Sequence, residues 1–218
     1  MKQYKNIIFD VGQVLFDYRC KDMLVLDYGL GEEEAQRVNN EMFHDELWHE
    51  LDLWNMHEEE IIDAYEKKYP KDAEAIRWFI SHGERMQVAR PKVWEGVHRL
   101  KEQGYGIYLL SNYPENLFVK HTREASFMKD VDGAVVSYQI HITKPDARIY
   151  ETLIRRYGLK KIPVCFLMTD RKISTARLRV GSMQNVCIRR SPCCRICLQF
   201  LPENLYYRIR HNDIFCGF

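Results

Sequence analysis

Nowhere does the sequence hold an apolar run approaching the roughly 18 residues that a membrane-spanning helix needs. Its opening, "MKQYKNIIFD", meets an aspartate after three apolar residues, which the apolar stretch of a secretion signal would not do. A cytoplasmic chain with no membrane partner is therefore expected. Heptad repeats are absent. So are a second CxxC pair beside Cys194 and Cys197, and any glycine pattern interleaved with cations. Without them a zinc site or a nucleic-acid surface lacks the context each requires, and no nucleic-acid partner is expected. The oligomeric state is left open.

Acidic residues are the scarcest class in one part of the chain. Two of the 31 Asp and Glu lie beyond residue 170, against nine of the 32 Lys and Arg. That tail carries +7 and the rest −6. Lysine, plentiful earlier, is represented there by Lys172 alone, while five of the seven cysteines gather there: Cys187, Cys193, Cys194, Cys197 and Cys216. The chain changes character near residue 168. Otherwise its 218 residues, 46% hydrophobic and 29% charged, fit a globular domain, or a core with a smaller insert.

"KNIIFD" is a short apolar run ending in an acid, the pattern of a buried parallel strand. From residue 21 to about 90 the spacing is helical throughout, with Ile61, Ile62, Tyr65 and Tyr69, then Ile76, Phe79 and Ile80, on apolar faces. No strand pattern is visible in that stretch. After Pro91 the character switches. "KVWEGVHRLKEQG" reads as a helix closed by Gly104, "YGIYLLSN" as a strand, "PENLFVKHTREA" as a helix and "GAVVSY" as a strand. "KPDARIYETLIRRYGL" reads as a helix with Pro145 in its first turn, and "VCFLM" as a fourth strand. This alternation predicts an α/β fold: a Rossmann-like parallel sheet core, with a helical cap inserted after the first strand. The expected division is a core of residues 1–17 and 92–170, a cap of 18–91, and a basic, Cys-rich tail of 171–218.

Ligands of such sheets sit at the carboxyl ends of the strands, which here hold Asp10, Ser111 and, roughly, Asp170. An ionised carboxylate beside a core is costly, so Asp10 is either a turn cap or a nucleophile and metal ligand. The hydroxyl of Ser111 and the turn at Asn112 either close a turn or donate to a phosphate. Lys144, at a helix start, is either a solvated cation or half of an anion site. His44 and His49, five apart, do not share a helix face and are expected at the surface. "HEEEIID" is expected to be a solvated helix start. Trp48, Trp54 and Trp78 either shape substrate access or, as expected, pack the core, and Asp17 and Tyr18 are placed where the chain enters the cap, near the pocket.

Together and in order, "IIFDVGQVLFDY", "YLLSN" and "ITKPDARIYE" resemble three motifs of the haloacid dehalogenase-like hydrolase superfamily. The resemblance runs from residue 4 to about 167. Its closest branch is the bacterial glucose-1-phosphatase-like one, within the subclass that carries a small helical cap. It implies a Mg2+-dependent phosphatase acting on a small phosphorylated metabolite. Asp10 would be the nucleophile, forming an aspartyl-phosphate. Asp10, the Gly12 carbonyl and an acid after the fourth strand would hold Mg2+, and Ser111, Asn112 and Lys144 would bind the phosphoryl group. A haloacid dehalogenase using the same Asp, or a catalytically dead relative, are the alternatives.

Two departures stand out. Gly12 occupies the place of the Asp that most phosphatases of the superfamily use as general acid and base; the resembling branch also has Gly there. The fourth motif, a pattern such as "DDRxENIDGA", is replaced by "MTDRKISTAR", leaving Asp170 as a fallback ligand. Taking the third base of each codon with the first two of the next, Met168–Thr169 forces Asp, and the neighbouring codons permit "DDRSENIDGA" in full. The tail from about residue 168 is therefore expected to be a frameshifted translation.

Overall fold

The computed structural model describes residues 5–159 and the strands at 164–167 and 186–188. In chain order the elements are β1 (Asn6–Phe9), β2 (Phe16–Tyr18), α1 (Cys20–Asp22), a π-helical turn Met23–Tyr28, α2 (Glu32–Phe43), α3 (Glu46–Leu53), α4 (Glu58–Lys68), α5 (Ala73–Ser81), β3 (Gln87–Ala89), α6 (Pro91–Glu102), β4 (Gly106–Ser111), α7 (Glu115–Thr122), β5 (Gly133–Val136), α8 (Ala147–Arg156), β6 (Val164–Leu167) and β7 (Val186–Ile188). The main sheet has the order β5-β4-β1-β6-β7 with every pair parallel. The expected α/β core with a helical segment after its first strand is what is found.

Parallel strands bury both faces, and β1 shows how four apolar residues do so. Ile7 and Phe9 point into the larger core, with α6, the cap helices, Ile107 and Leu109. Ile8 points the other way, toward Leu110, Val135 and the Ile149, Tyr150, Leu153 and Ile154 stripe of α8. Cap helices bury the residues whose spacing predicted it: Ile61, Ile62 and Tyr65 on α4, Ile76, Phe79 and Ile80 on α5. At the start of α4, Glu60 accepts the His57 N–H at 2.8 Å, so the acidic run caps a helix. His44 and His49 are exposed and Trp48 is buried, as expected.

Two elements differ from the sequence expectation. β2 and β3 pair antiparallel, Phe16 opposite Ala89, where the chain leaves and rejoins the core. Three residues are too few to display an alternating pattern, and Val88 is largely exposed. The seam is pinned by Arg90, whose Nη1 donates to the Val14 carbonyl at 3.0 Å and the Gln13 carbonyl at 3.3 Å, with Asp17 at 3.6 Å. The second difference is the start of α8. Asp146 is its N-cap, accepting the Arg148 N–H at 2.8 Å, so Lys144 and Pro145 stand on the preceding turn rather than in the helix. Val186–Ile188, within the basic tail, pairs with Val164–Phe166. The expected seam at residue 168 and Asp170 lie outside the described residues.

Candidate active site

β1, at the centre of the sheet, delivers Asp10 to the carboxyl edge with only 8% of its surface exposed. The main-chain N–H of Val11 and the Ser111 hydroxyl both donate to Asp10 Oδ1, at 2.9 and 3.0 Å. Lys144 Nζ donates to Oδ2 at 2.5 Å. Three donors, one of them a countercharge, offset the desolvation that burial imposes on this carboxylate. Ser111 and Lys144 are themselves 1% and 5% exposed. Asn112 reaches Lys144: its Oδ1 accepts the Lys144 N–H at 2.7 Å and its Nδ2 donates to the Lys144 carbonyl at 3.1 Å. That clamp fixes the turn from which the lysine points at Asp10. Asp10, Ser111, Asn112 and Lys144, from three separate parts of the chain, are thus brought together.

A Cβ on Gly12 would lie 2.8 Å from Tyr18 Oη and 3.0 Å from its Cε2, so the tyrosine fills the space a side chain at position 12 would need. Tyr18 Oη donates to Tyr113 Oη at 2.7 Å, which lies 2.6 Å from His121 Nδ1, and His121 Nε2 lies 3.1 Å from the Gly83 carbonyl. The carbonyl can only accept, so Nε2 carries the proton and Nδ1 accepts from Tyr113. Burial pushes both phenols up and pulls His121 down to about 4. The chain is therefore neutral near pH 7.

One residue of the site escaped the sequence reading. Asp52, on α3 of the cap, is 4% exposed, and its Oδ1 has no hydrogen-bond partner. Burial pushes its carboxyl up to about 8; the Lys144 cation opposes the shift and the Asp10 anion adds to it. The Ser137 hydroxyl donates to the Asp52 carbonyl at 2.5 Å, and His141 Nδ1 to the Leu53 carbonyl at 2.8 Å, docking the end of α3 on the loop after β5. The available signal was spacing: Asp52 lies four residues after Trp48 and next to Leu51, both on the buried stripe of α3.

A model of the haloacid dehalogenase-like hydrolases matches residues 4–167. The chain belongs to this family. Family membership makes it a hydrolase. A curated relative, the (S)-2-haloacid dehalogenase 4A of Burkholderia cepacia, is 24% identical over 119 residues, or 55% of this chain. The chain spans about half, 52%, of that relative's length. Among solved structures, a family enzyme of Bacteroides thetaiotaomicron in complex with magnesium and inorganic phosphate superposes with a TM-score of 0.64 at 17% identity, covering 87% of this chain and 96% of that one. The L-2-haloacid dehalogenase of Xanthobacter autotrophicus, with chloropropionic acid covalently bound, gives 0.62 at 13% identity, covering 99% and 91%. Both share the fold.

The magnesium expected at this site would need hard oxygen donors. Asp10 and the Gly12 carbonyl offer hard oxygens, the type this cation takes. Among the described residues no group of three His, Cys, Asp or Glu could hold a metal. The described residues therefore fit a fragment of a magnesium site, and the third expected ligand, Asp170, lies outside them. No helix among the described residues is long and apolar enough to cross a membrane.

Proposed function

We propose that this hydrolase is a Mg2+-dependent phosphatase of a small phosphorylated metabolite, acting in the cytoplasm through an aspartyl-phosphate. The observation that carries this reading is the crowding of donors on one buried carboxylate: the Lys144 ammonium, the Ser111 hydroxyl and the Val11 N–H all converge on Asp10. A phosphoryl group arriving there meets donors already aimed at it. Asp10 attacks phosphorus in line and the leaving oxygen departs; water then cleaves the aspartyl-phosphate. Ser111 and Lys144 turn from the carboxylate to the phosphoryl oxygens, while Asn112 keeps the lysine in place. Bound Mg2+ would rest on Asp10 and the Gly12 carbonyl and neutralise phosphate charge. Gly12 favours the glucose-1-phosphatase-like branch with its small helical cap.

A second reading is favoured by the curated relative: the same Asp10 displacing a halide from a 2-haloacid. A chromogenic phosphate ester and a 2-haloacid, each offered with and without Mg2+, separate the two. Phosphate release that depends on Mg2+ is expected. Halide release without ester turnover would reverse the choice. Asp10→Asn is expected to reduce either activity to background, and retained turnover would remove Asp10 as nucleophile.

We also infer that the tail from about residue 168 is read in a shifted frame. The family match ends at residue 167, where charge and cysteine content change, and the shifted codons permit the missing fourth motif. Sequencing the gene across codons 160–175 tests this. An alternative frame that stops at once or encodes no such motif would overturn it.

A further inference from the structure

We propose that Asp52, carried by the cap helix α3, is the catalytic residue that holds and moves the proton in this site, in place of the acid that Gly12 lacks. This rests on the phosphatase reading, which leaves a chemical need unmet. The leaving oxygen departs as an alkoxide and wants a proton, and the water of the second step must lose one. At position 12 there is no side chain, and Tyr18 blocks the room for one.

Asp52 fits the need on geometry. It is buried, its Oδ1 is without a hydrogen-bond partner, and Ser137 joins its carbonyl to the Tyr113 N–H just after Ser111 and Asn112; the Lys144 cation and the Asp10 anion both act on its ionisation. An unpaired buried carboxyl costs stability, so its persistence beside a reactive centre points to a ligand that completes it. Docking of α3 through Ser137 and His141 holds it over the core. Lys144 and Asp10 act on it from the core, and it acts in turn on Tyr113 after β4 and Tyr65 on α4, while His141 binds the neighbouring Leu53 carbonyl. Tyr65 and Tyr113 are phenols pushed further up, so they stay neutral and leave Asp52 as the acid of this group. With its own ionisation pushed up to about 8, the carboxyl holds a proton at neutral pH.

The steps balance. As the Asp10 oxygen–phosphorus bond forms and the ester P–O bond breaks, the departing oxygen takes the Asp52 proton, leaving a carboxylate. As water attacks phosphorus and the aspartyl P–O bond breaks, the Asp52 carboxylate takes the proton of that water. Inorganic phosphate and the alcohol leave, and both aspartates are restored.

The test compares the chain with Asp52→Asn on two substrates, an alkyl phosphate with a poor leaving group and a nitrophenyl phosphate with a good one. Turnover of the alkyl ester is expected to fall by about 10²–10⁴-fold, and that of the aryl ester at least about tenfold less. The aryl activity also reports that the variant folds. The alkaline limb of the alkyl pH profile, near 8 in the parent, is expected to vanish in Asp52→Asn and return in Asp52→Glu. Equal losses on both esters, or an unchanged profile, would overturn the proposal while leaving the phosphatase reading intact. No turnover of either ester by the parent chain would instead overturn that reading, and the proton role with it.

Discussion

Gly12 reads, in sequence, as a trait shared with the resembling branch, and its surroundings show why one substitution would not restore an acid there. The Tyr18 ring sits where a Cβ would go, and its hydroxyl is tied to Tyr113. Gly12→Asp is therefore expected to displace the ring and destabilise the fold by about 1–3 kcal/mol without raising turnover. Because the cost lies in a contact, it should shrink when Tyr18→Ala is already present, a non-additivity that thermal melting of the four chains would measure. Additive losses would place the strain elsewhere. Asp10, Ser111 and Lys144 were legible beforehand because each ends a strand or opens a turn in a motif of fixed order. Tyr18 was legible only as a neighbour of the pocket. That its ring fills the space beside Gly12 depends on the fold of the β1–β2 loop, which no local pattern encodes.

Between elements, a buried hydrogen-bond chain joins β2, the turn after β4, α7 and the Gly83 carbonyl that precedes β3. It ends on a histidine whose charged form is disfavoured by burial, from 6.5 down to about 4. Between those values the unfolded chain binds a proton at this position that the folded chain does not. Its contribution to stability is therefore present above pH 6.5 and lost as pH falls toward 4, at up to about 1.4 kcal/mol per pH unit. Asp52 acts in the opposite sense, since its raised carboxyl holds a proton when folded and loses that advantage as pH rises toward 8. Urea unfolding of the parent and of His121→Gln, followed from pH 7 to 4.5, isolates the histidine: the variant should show the shallower acid loss. Parallel curves would mean that His121 titrates normally. Elements of this kind divide sharply in how readable they were. The cap helices announced themselves through stripes such as Ile76, Phe79 and Ile80. The strands Phe16–Tyr18 and Gln87–Ala89 could not, being three residues long and held by pairing with each other. Asp52 sat between both cases, an acid on an apolar stripe whose meaning came only from Lys144, 92 positions further along.

At the scale of the whole molecule, the sheet places its carboxyl edge, with Asp10, beside a junction. β1 sits between β4, which brings Ser111, and β6, whose end should bring the remaining acids of the family's fourth motif. The family match ends at residue 167, where β6 ends. A chain selected as one unit would be expected to keep the acids of the family's fourth motif beside Asp10. The codons compatible with Leu167–Arg177 permit them in the other frame. Restoring that frame by inserting or removing bases near codon 168 should therefore change two independent quantities together. Turnover of phosphate esters should rise and become steeply dependent on Mg2+, because a pair of carboxylates joins Asp10 and the Gly12 carbonyl as hard oxygen donors. The melting temperature should rise as well, since a tail selected for this sheet covers apolar surface that an unselected one covers poorly; about 2 kcal/mol of added stability is worth roughly 4–8 °C for a chain of this size. A gain in stability with no gain in Mg2+-dependent turnover would mean that the tail completes the fold but not the site. No change in either would mean that the present tail is the one this core evolved with.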